Sequence, residues 1–227
     1  MTNLKTYILP LASAGLAACG GDAVQERPNI IFIMTDDHTA QMMSCYGNSP
    51  VPTPNLDRIA NEGVLFSESF VANSLSGPSR ACMLTGKHSH KNGFTNNEHG
   101  IFDGSQQTMP KLLQKAGYQT ALIGKWHLVS QPTGFNHYEI LIGQGEYYNP
   151  TFLHQDGKSS VEEGYCTDVI TDKSIKWLEQ RDKEKPFILF VHHKACHRNW
   201  LPPMKYLREY EDVTFPLPDN FWDDYEG

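Results

Sequence analysis

The sequence has little of what nucleic-acid-binding and zinc-binding proteins need. Its 19 basic residues are outnumbered by 26 acidic ones, for a formal net charge of −7, which argues against broad binding to a phosphate backbone. None of its five cysteines forms a CxxC pair or a zinc-knuckle spacing. No long low-complexity tract is present, so we expect disorder only in about the first thirty residues. A chain of 227 residues that is 39% hydrophobic can bury one sizeable core and predicts a single domain.

The N-terminal segment is too short to span a membrane but is typical of a secretion signal. Lys5 precedes a short apolar stretch that small residues close. The end of this stretch, Leu16-Ala17-Ala18-Cys19, is typical of a bacterial lipobox in which Cys19 carries the lipid; an ordinary cleaved signal is the alternative. We therefore expect a lipoprotein signal at residues 1–19 and a linker at 20–28. The predicted location is the periplasm or cell envelope, with a lipid anchor holding the protein at a membrane.

The remaining cysteines are far apart in the sequence. They are Cys45, Cys82, Cys166 and Cys196. An exported protein can form disulfides, but this spacing does not indicate which cysteines would pair. We expect four isolated, buried thiols.

Apolar runs alternate with helical patterns along the chain. Strands are predicted at 29–35, 64–71, 118–123 and 186–192, and helices at 54–63, 78–85, 109–116 and 168–181. This alternation predicts an α/β fold with a mostly parallel sheet flanked by helices. Residues 129–165 are rich in Gly, Tyr, Asn and Gln, and we interpret them as loops that wall a binding site.

Polar clusters follow three of the predicted strands. They are Asp36-Asp37-His38, Lys125-Trp126-His127, and the group His192, His193 and His197. Ligands of open α/β sheets bind beyond the carboxyl ends of the strands, so these clusters are expected to share one site. Paired carboxylates suit a hard cation such as Ca²⁺ or Mg²⁺, although a helix cap beside a solvated acid is the alternative.

Two further patterns have both a structural and a chemical interpretation. Ser76 precedes a predicted helix, with Pro78 and Arg80 in its first turn. This arrangement suits an anion site, yet by itself it favours a serine N-cap. In an extended segment, Lys125 and His127 lie on one face and suit holding an oxyanion and moving a proton, but such pairs are also common on surfaces.

Four segments together resemble the formylglycine-dependent sulfatases of the alkaline-phosphatase superfamily. They read PNIIFIMTDD (28–37), SGPSRACMLTG (76–86), GYQTALIGKWH (117–127) and PFILFVHHKACHRNWLPP (186–203). The second resembles the family signature, a Cys or Ser followed by x-Pro-Ser-Arg and a spaced Thr-Gly. With the others in order, the resemblance runs from about residue 28 to beyond 200. It implies an alkaline-phosphatase-like α/β fold with a mixed, mostly parallel sheet.

The resemblance implies that Ser76 is oxidised after translation to formylglycine (3-oxoalanine), a ligand of the metal. Pro78 and Arg80 belong to the modification signature, and Arg80 would also stabilise the formylglycine and the metal shell. In the family, one oxygen of the hydrated aldehyde attacks sulfur, and deprotonation of the second hydroxyl expels sulfate. Serine at position 76 resembles the bacterial branch that a radical maturase modifies without oxygen.

The same resemblance implies roles for the strand-end residues. Asp36 and Asp37 would bind Ca²⁺ rather than Mg²⁺. Lys125 would bind the sulfate group and stabilise developing charge. His127 would act on the formylglycine hydroxyl, and His197 would face the leaving-group oxygen.

The chain also departs from the family pattern. Cys196 stands where the family has a proline before its histidine, which alters the local backbone rigidity. Residues 205–227 contain no match to the family's later metal ligands, an Asp followed by Asn, Gln or His, or to its further lysine. We therefore expect residues 29–227 to be the N-terminal part of a sulfatase catalytic domain, with an incomplete site and part of its sheet exposed.

Sulfated glycans of glycosaminoglycan or mucin type are the expected substrates. HKACHRNWLPP and GEYYNPTF resemble bacterial N-acetylglucosamine-6-sulfatase-like members. One alternative is a phosphate mono- or diesterase of the same superfamily, which uses an unmodified Ser or Thr and often two zinc ions; the Pro-Ser-Arg signature argues against it. A non-catalytic glycan-binding lipoprotein, or an inactive fragment, is the alternative from a different class.

Overall fold

The computed structural model describes residues 27–224. The lipobox and Cys19 lie outside the described residues. The strands are β1 (Ile30–Met34), β2 (Gln119–Lys125), β3 (His137–Leu141), β4 (Thr151–His154), β5 (Ser159–Val161) and β6 (Phe187–His192). The α-helices are α1 (Pro54–Glu62), α2 (Ser76–Thr85), α3 (Ser89–Asn92), α4 (Met109–Lys115) and α5 (Cys166–Gln180).

The described strands form one six-stranded sheet in the order β1-β6-β2-β3-β4-β5. The first four of these are parallel, whereas β4 pairs antiparallel with β3 and β5 pairs antiparallel with β4. Strands that are neighbours in the sheet but far apart in the sequence, such as β1 and β6, are joined by crossover connections. In this class of fold, helices provide those connections. The predicted α/β architecture, with a mixed and mostly parallel sheet flanked by helices, is confirmed.

Two adjacent inner strands, β2 and β6, are buried on both faces because helices cover them. Successive side chains of a strand point to opposite faces, so Leu122 packs in one core cluster while Ile123 packs in the other. Side chains of α2 and α4 belong to the first cluster. In the second cluster Ile170 of α5 is fully buried. Burial on both faces explains why the sequence of β6 is a continuous apolar run.

Three predictions about the elements are wrong. Strand β1 is at the edge of the described sheet, and the side chains of Ile31 and Ile33 are 51% and 58% exposed, so it is not a buried strand. Residues 64–71 are irregular and largely exposed rather than a strand. Residues 129–165 are not all loop, because β3, β4 and β5 lie there. These three strands are short and Gly-rich turns separate them, which hid their pattern.

The cysteine environments differ from the expectation of four buried thiols. All four cysteines in the described part of the chain are free; Cys82 and Cys166 are buried, Cys45 is half-buried and Cys196 is exposed. Burial raises the pKa of the Cys166 thiol to about 12, which keeps it protonated. Within residues 27–224, no helix combines the length and apolar character needed to cross a membrane.

Candidate functional site

The carboxyl ends of β1, β6 and β2 meet at one edge of the sheet. Met34 pairs with His192 across the β1–β6 ladder, and Gly124 pairs with His192 across the β6–β2 ladder. The residues that follow these strands are therefore brought together. Asp36 and Lys125 are in direct contact there, as the shared strand-end position predicts.

Ser76 is the first residue of α2 and points into this site. The helix N-cap is Leu75, and no side-chain cap hydrogen bond is made, so the interpretation of Ser76 as an N-cap is wrong. Its Oγ lies 3.4 Å from Asp36 Oδ1, 3.3 Å from Arg80 Nε and 3.2 Å from His127 Nδ1. One hydroxyl is thus held by an acid, a guanidinium and an imidazole that come from three different elements.

Asp36 is the charge centre of the site. It is buried, and both Arg80 and Lys125 beside it are buried as well. Its Oδ2 accepts a hydrogen bond from Lys125 Nζ and lies 3.6 Å from Arg80 Nη2. A buried carboxylate is tolerated when cations of this kind compensate its desolvation.

Burial acts on both cations of the site, and Arg80 keeps its charge at neutral pH. Burial lowers the pKa of Arg80 to about 10, against the opposing attraction of Asp36. Burial also lowers the pKa of Lys125, while its hydrogen bond to Asp36 acts in the opposite direction. The site therefore presents positive charge in a place where water cannot screen it well, which suits an anionic ligand.

His127 follows β2 in an uncommon backbone conformation, with φ at +55°. Burial, then the charges of Lys125 and Arg80, lower the pKa of His127 to about 4. The imidazole is therefore neutral at pH 7. Besides Ser76, it contacts Gln144, whose Nε2 lies 3.0 Å from His127 Nε2.

His197 is at the same edge of the sheet but contacts a different acid. Its Nε2 lies 3.8 Å from Asp37 Oδ2, and its Nδ1 donates to Arg198 O at 2.7 Å. Asp37 has a positive φ of +56° and a largely exposed side chain. The structure thus places His197 and Asp37 side by side, apart from the three groups that hold Ser76.

The oxygen-bearing side chains at this edge of the sheet are of the type that binds a hard cation. Asp36 and Asp37 are adjacent carboxylates, and Ser76 adds a hydroxyl beside the first. Calcium takes six to eight oxygen ligands, so these groups would fill part of a shell. Within residues 27–224, no three acidic, histidine or cysteine side chains converge as a metal-binding group.

A cavity of about 460 Å³ gives access to the site between the end of β1 and the start of α2. Asp36, Asp37, Ser76 and Arg80 are among its lining residues. Lys125, His127 and His197 are not among them. The cavity therefore opens onto the hydroxyl of Ser76 and the two carboxylates.

One neighbour of the site, Gln144, was not predicted, and neither was the contact that His192 makes. His192, the last residue of β6, is buried with its Nδ1 3.3 Å from Arg80 Nη1 and 3.1 Å from the carbonyl oxygen of Lys125. Its place in a histidine cluster was noted, but nothing in the sequence indicated this contact. Gln144 contacts both Lys125 and His127. The sequence indicated Gln144 only through the prediction that residues 129–165 form loops that wall a binding site.

Comparisons with known proteins point to one family. The Sulfatase family model matches residues 28–225. An N-acetylglucosamine-6-O-sulfatase of Bacteroides thetaiotaomicron is 58% identical over 100% of this chain and 41% of its own length. Human N-acetylgalactosamine-6-sulfatase is 42% identical over 50% of this chain and 24% of its own length.

A solved structure has the same fold. BT4656, in complex with its substrate D-glucosamine-2-N,6-O-disulfate, superposes with a TM-score of 0.87 and 61% identity. The superposition covers 89% of this chain and 41% of that one. The chain thus spans about two fifths of the length of the first relatives it matches. Because the family model covers most of the sequence, the resemblance seen in the four segments is confirmed, and the chain belongs to the sulfatase family.

Proposed function

We propose that the protein is a sulfuric ester hydrolase acting on sulfated glycans, with position 76 as the reactive centre. The observation that carries this proposal is the hydroxyl of Ser76, which Asp36, Arg80 and His127 contact at 3.2–3.4 Å. The similarity to an N-acetylglucosamine-6-O-sulfatase and to BT4656, solved with a disulfated glucosamine, supports a 6-sulfated amino sugar as the substrate.

The chain's own residues supply binding and proton handling. Lys125 and Arg80 are cations excluded from water, so they attract a sulfate oxygen and stabilise negative charge that develops on it. His127 holds the group at position 76 by a hydrogen bond, and its neutral ring is suited to proton exchange there. His197, beside Asp37, is the candidate for the leaving-group oxygen.

Sulfatases generally depend on formylglycine and a divalent metal. For this protein we propose formylglycine made from Ser76, and Ca²⁺ bound by Asp36, Asp37 and the group at 76. The three partners of the Ser76 hydroxyl would also serve a hydrated aldehyde, since they offer two donors and one acceptor. When present, the modified residue supplies a nucleophilic oxygen that the metal activates.

Processing and location belong to the same proposal. A radical maturase would remove two hydrogens from Ser76 with Pro78 and Arg80 as part of its recognition signature. Cys19 would carry the lipid that anchors the protein at a membrane of the cell envelope. The lipobox pattern and the serine at position 76 support this part of the proposal.

The test is sulfate release by the complete product of the gene, purified from its own host. Glucosamine 6-sulfate is compared with a phosphate monoester, with and without calcium. We expect calcium-dependent sulfate release that falls by about 10³-fold or more in Ser76→Ala. Ser67→Ala, an exposed serine in the same region, is the matched control. Full activity in Ser76→Ala would refute the reactive centre, and zinc-dependent phosphate release would favour the phosphoesterase.

A further inference from the structure

Gln144 lies in the turn after β3, and its backbone is fixed from two sides. The N–H of Gly145 donates to Ile142 O at 3.0 Å, which closes the turn. The carbonyl oxygen of Gln144 accepts a hydrogen bond from Lys194 Nζ at 3.2 Å. A Cβ on Gly145 would lie 2.7 Å from Leu141 Cδ1, so the turn packs closely onto the end of β3. The side-chain amide is thus presented to the site from a defined position.

The neighbours of this amide determine which way it points. Its Oε1 accepts a hydrogen bond from Lys125 Nζ, and its Nε2 lies 3.0 Å from His127 Nε2. An ammonium group only donates hydrogen bonds, so it must face the amide oxygen. The reverse orientation would place the amide NH₂ against the ammonium. Lys125 therefore directs the NH₂ of Gln144 toward His127.

The amide in turn determines which ring nitrogen of His127 carries the proton. An amide NH₂ can only donate, so His127 Nε2 must be the acceptor, and the ring proton lies on Nδ1. From Nδ1 it is donated to Ser76 Oγ at 3.2 Å. The hydroxyl also accepts from Arg80 Nε at 3.3 Å, which leaves its own proton directed at Asp36 Oδ1, 3.4 Å away.

We propose that Gln144 is a positioning residue that holds His127 in the tautomer protonated at Nδ1. The hydrogen bonds form a closed ring, since Lys125 also donates to Asp36. In this ring His127 donates to the group at position 76 in the resting state, and Asp36 faces the hydroxyl proton. The tautomer follows from the contacts alone, whereas its effect on turnover rests on the proposed sulfatase function.

The substitution Gln144→Glu tests the tautomer directly, because it keeps the shape and replaces the donor by an acceptor. Protein with ¹⁵N-labelled histidine is prepared with serine retained at position 76, which mass spectrometry verifies. The ring nitrogen shifts of His127 are then measured, with His127→Asn to assign them. We expect a proton on Nδ1 and a lone pair on Nε2 in the wild type, and a proton gained at Nε2 in Gln144→Glu.

Gln155→Glu, an exposed site in the turn between β4 and β5, is the matched control and should leave the shifts unchanged. A wild-type ring protonated on Nε2, or an Nε2 that stays unprotonated in folded Gln144→Glu, would overturn the proposal. The wild-type spectrum alone decides the question if the variant does not fold.

Kinetics of the matured enzyme provide the second measurement. Because Gln144→Glu takes away the hydrogen bond that His127 Nδ1 donates to the group at position 76, kcat should fall by about 10²-fold. KM should rise as well, since the new carboxylate lies against Lys125, which is proposed to bind the sulfate group. An unchanged kcat would overturn the positioning role. Absence of sulfate release by the wild type would instead refute the proposed function and leave the nitrogen shifts as an independent test.

Discussion

Asp36 is the residue on which the charges of the site converge. Two buried cations compensate it, and its other oxygen faces Ser76. Removing one partner of a buried ion pair usually costs more than the pair contributes, because the other charge is left without compensation in a water-poor environment. Asp36, Arg80 and Lys125 therefore contribute to the stability of the fold as well as to anion binding.

Lys125→Met should therefore destabilise the fold by about 3 kcal/mol, because Asp36 would retain only Arg80 as a cation. Adding Asp36→Asn should recover part of that loss, since the neutral amide no longer needs the ammonium. Urea unfolding of the wild type, both single variants and the double variant measures the interaction energy. Additive effects of the two substitutions would contradict the coupling between these side chains.

The residues of the site were predictable to different degrees. Asp36, Ser76 and Lys125 stand in segments whose order along the chain resembles one family, and the structure brings them together. The contacts of Gln144 and His192 were not predicted, because they depend on where a turn after β3 and the end of β6 meet the site. Sequence patterns describe faces of strands and helices but not contacts of this kind between loops.

At the scale of elements, the start of α2 packs too closely for any side chain at Gly77. A Cβ there would lie 2.7 Å from Phe94 Cε1, 2.8 Å from Asn97 Oδ1 and 3.1 Å from His127 O. The N–H of Gly77 donates to Asn97 Oδ1 at 3.0 Å, which fixes the same approach. The position of Ser76 relative to His127 therefore depends on having glycine, which has no side chain, at position 77.

Gly77→Ala should destabilise the fold by about 1–3 kcal/mol through overpacking and should lower activity by moving the first turn of α2. Thermal unfolding and sulfate release measure the two effects. In the control Gly157→Ala the new Cβ meets nothing within 4 Å, and only the φ of +81° costs about 1 kcal/mol. Wild-type stability and activity in Gly77→Ala would show that the helix start tolerates displacement.

An ion cluster away from the site joins β3 to α5. Glu139 accepts a hydrogen bond from Lys173 Nζ at 2.6 Å, and its Oε1 lies 3.2 Å from His137 Nε2. The hydrogen bond with His137, then the contact with Lys173, lower the pKa of Glu139 to about 2. A carboxyl whose pKa is lower in the folded state stabilises the fold above its ordinary pKa of 4.5 and loses that contribution as the pH falls toward 2.

Glu139→Gln should accordingly reduce the free energy of unfolding by about 1–3 kcal/mol at neutral pH. The difference from the wild type should shrink as the pH falls below about 4.5, where the unfolded carboxyl becomes protonated. Chemical unfolding at a series of pH values measures it, with Glu179→Gln on the exposed face of α5 as the control. If the stability difference between the wild type and Glu139→Gln stays constant down to about pH 3, the ionisation of Glu139 does not contribute to the stability of the fold.

Elements buried on both sides of the sheet were predicted more accurately than the others. Strand β6 is a continuous apolar run, and β2 is apolar in its centre, because helices cover both of their faces. Residues 64–71 have a similar apolar composition, yet they are irregular and exposed. Composition alone cannot distinguish these cases, since strand formation depends on a partner strand that supplies the hydrogen bonds.

At the scale of the whole molecule, strand β1 presents an open edge and an apolar face. No strand pairs with its outer edge among residues 27–224. Ile31 and Ile33 are more than half exposed on the same face of β1. Edges and apolar surfaces of this kind favour association between chains.

The isolated chain should self-associate with increasing concentration, and Ile31→Lys with Ile33→Lys should reduce that association. Charged side chains on an edge strand oppose pairing with a second chain. Sedimentation velocity over a range of concentrations gives the comparison, with Val161→Lys on β5 at the opposite edge as the control. If the Ile31→Lys, Ile33→Lys variant and the Val161→Lys control associate equally, the self-association takes place through a surface other than β1.

The central claim is that the hydroxyl at position 76 is the precursor of the reactive group. Trypsin cleavage after Arg58 and Arg80 releases the peptide 59–80, which contains Ser76. In protein purified from its own host, tandem mass spectrometry should locate at residue 76 a loss of about two hydrogens, as oxidation of the alcohol to an aldehyde requires. An unmodified serine in a preparation that hydrolyses sulfate esters would contradict the account.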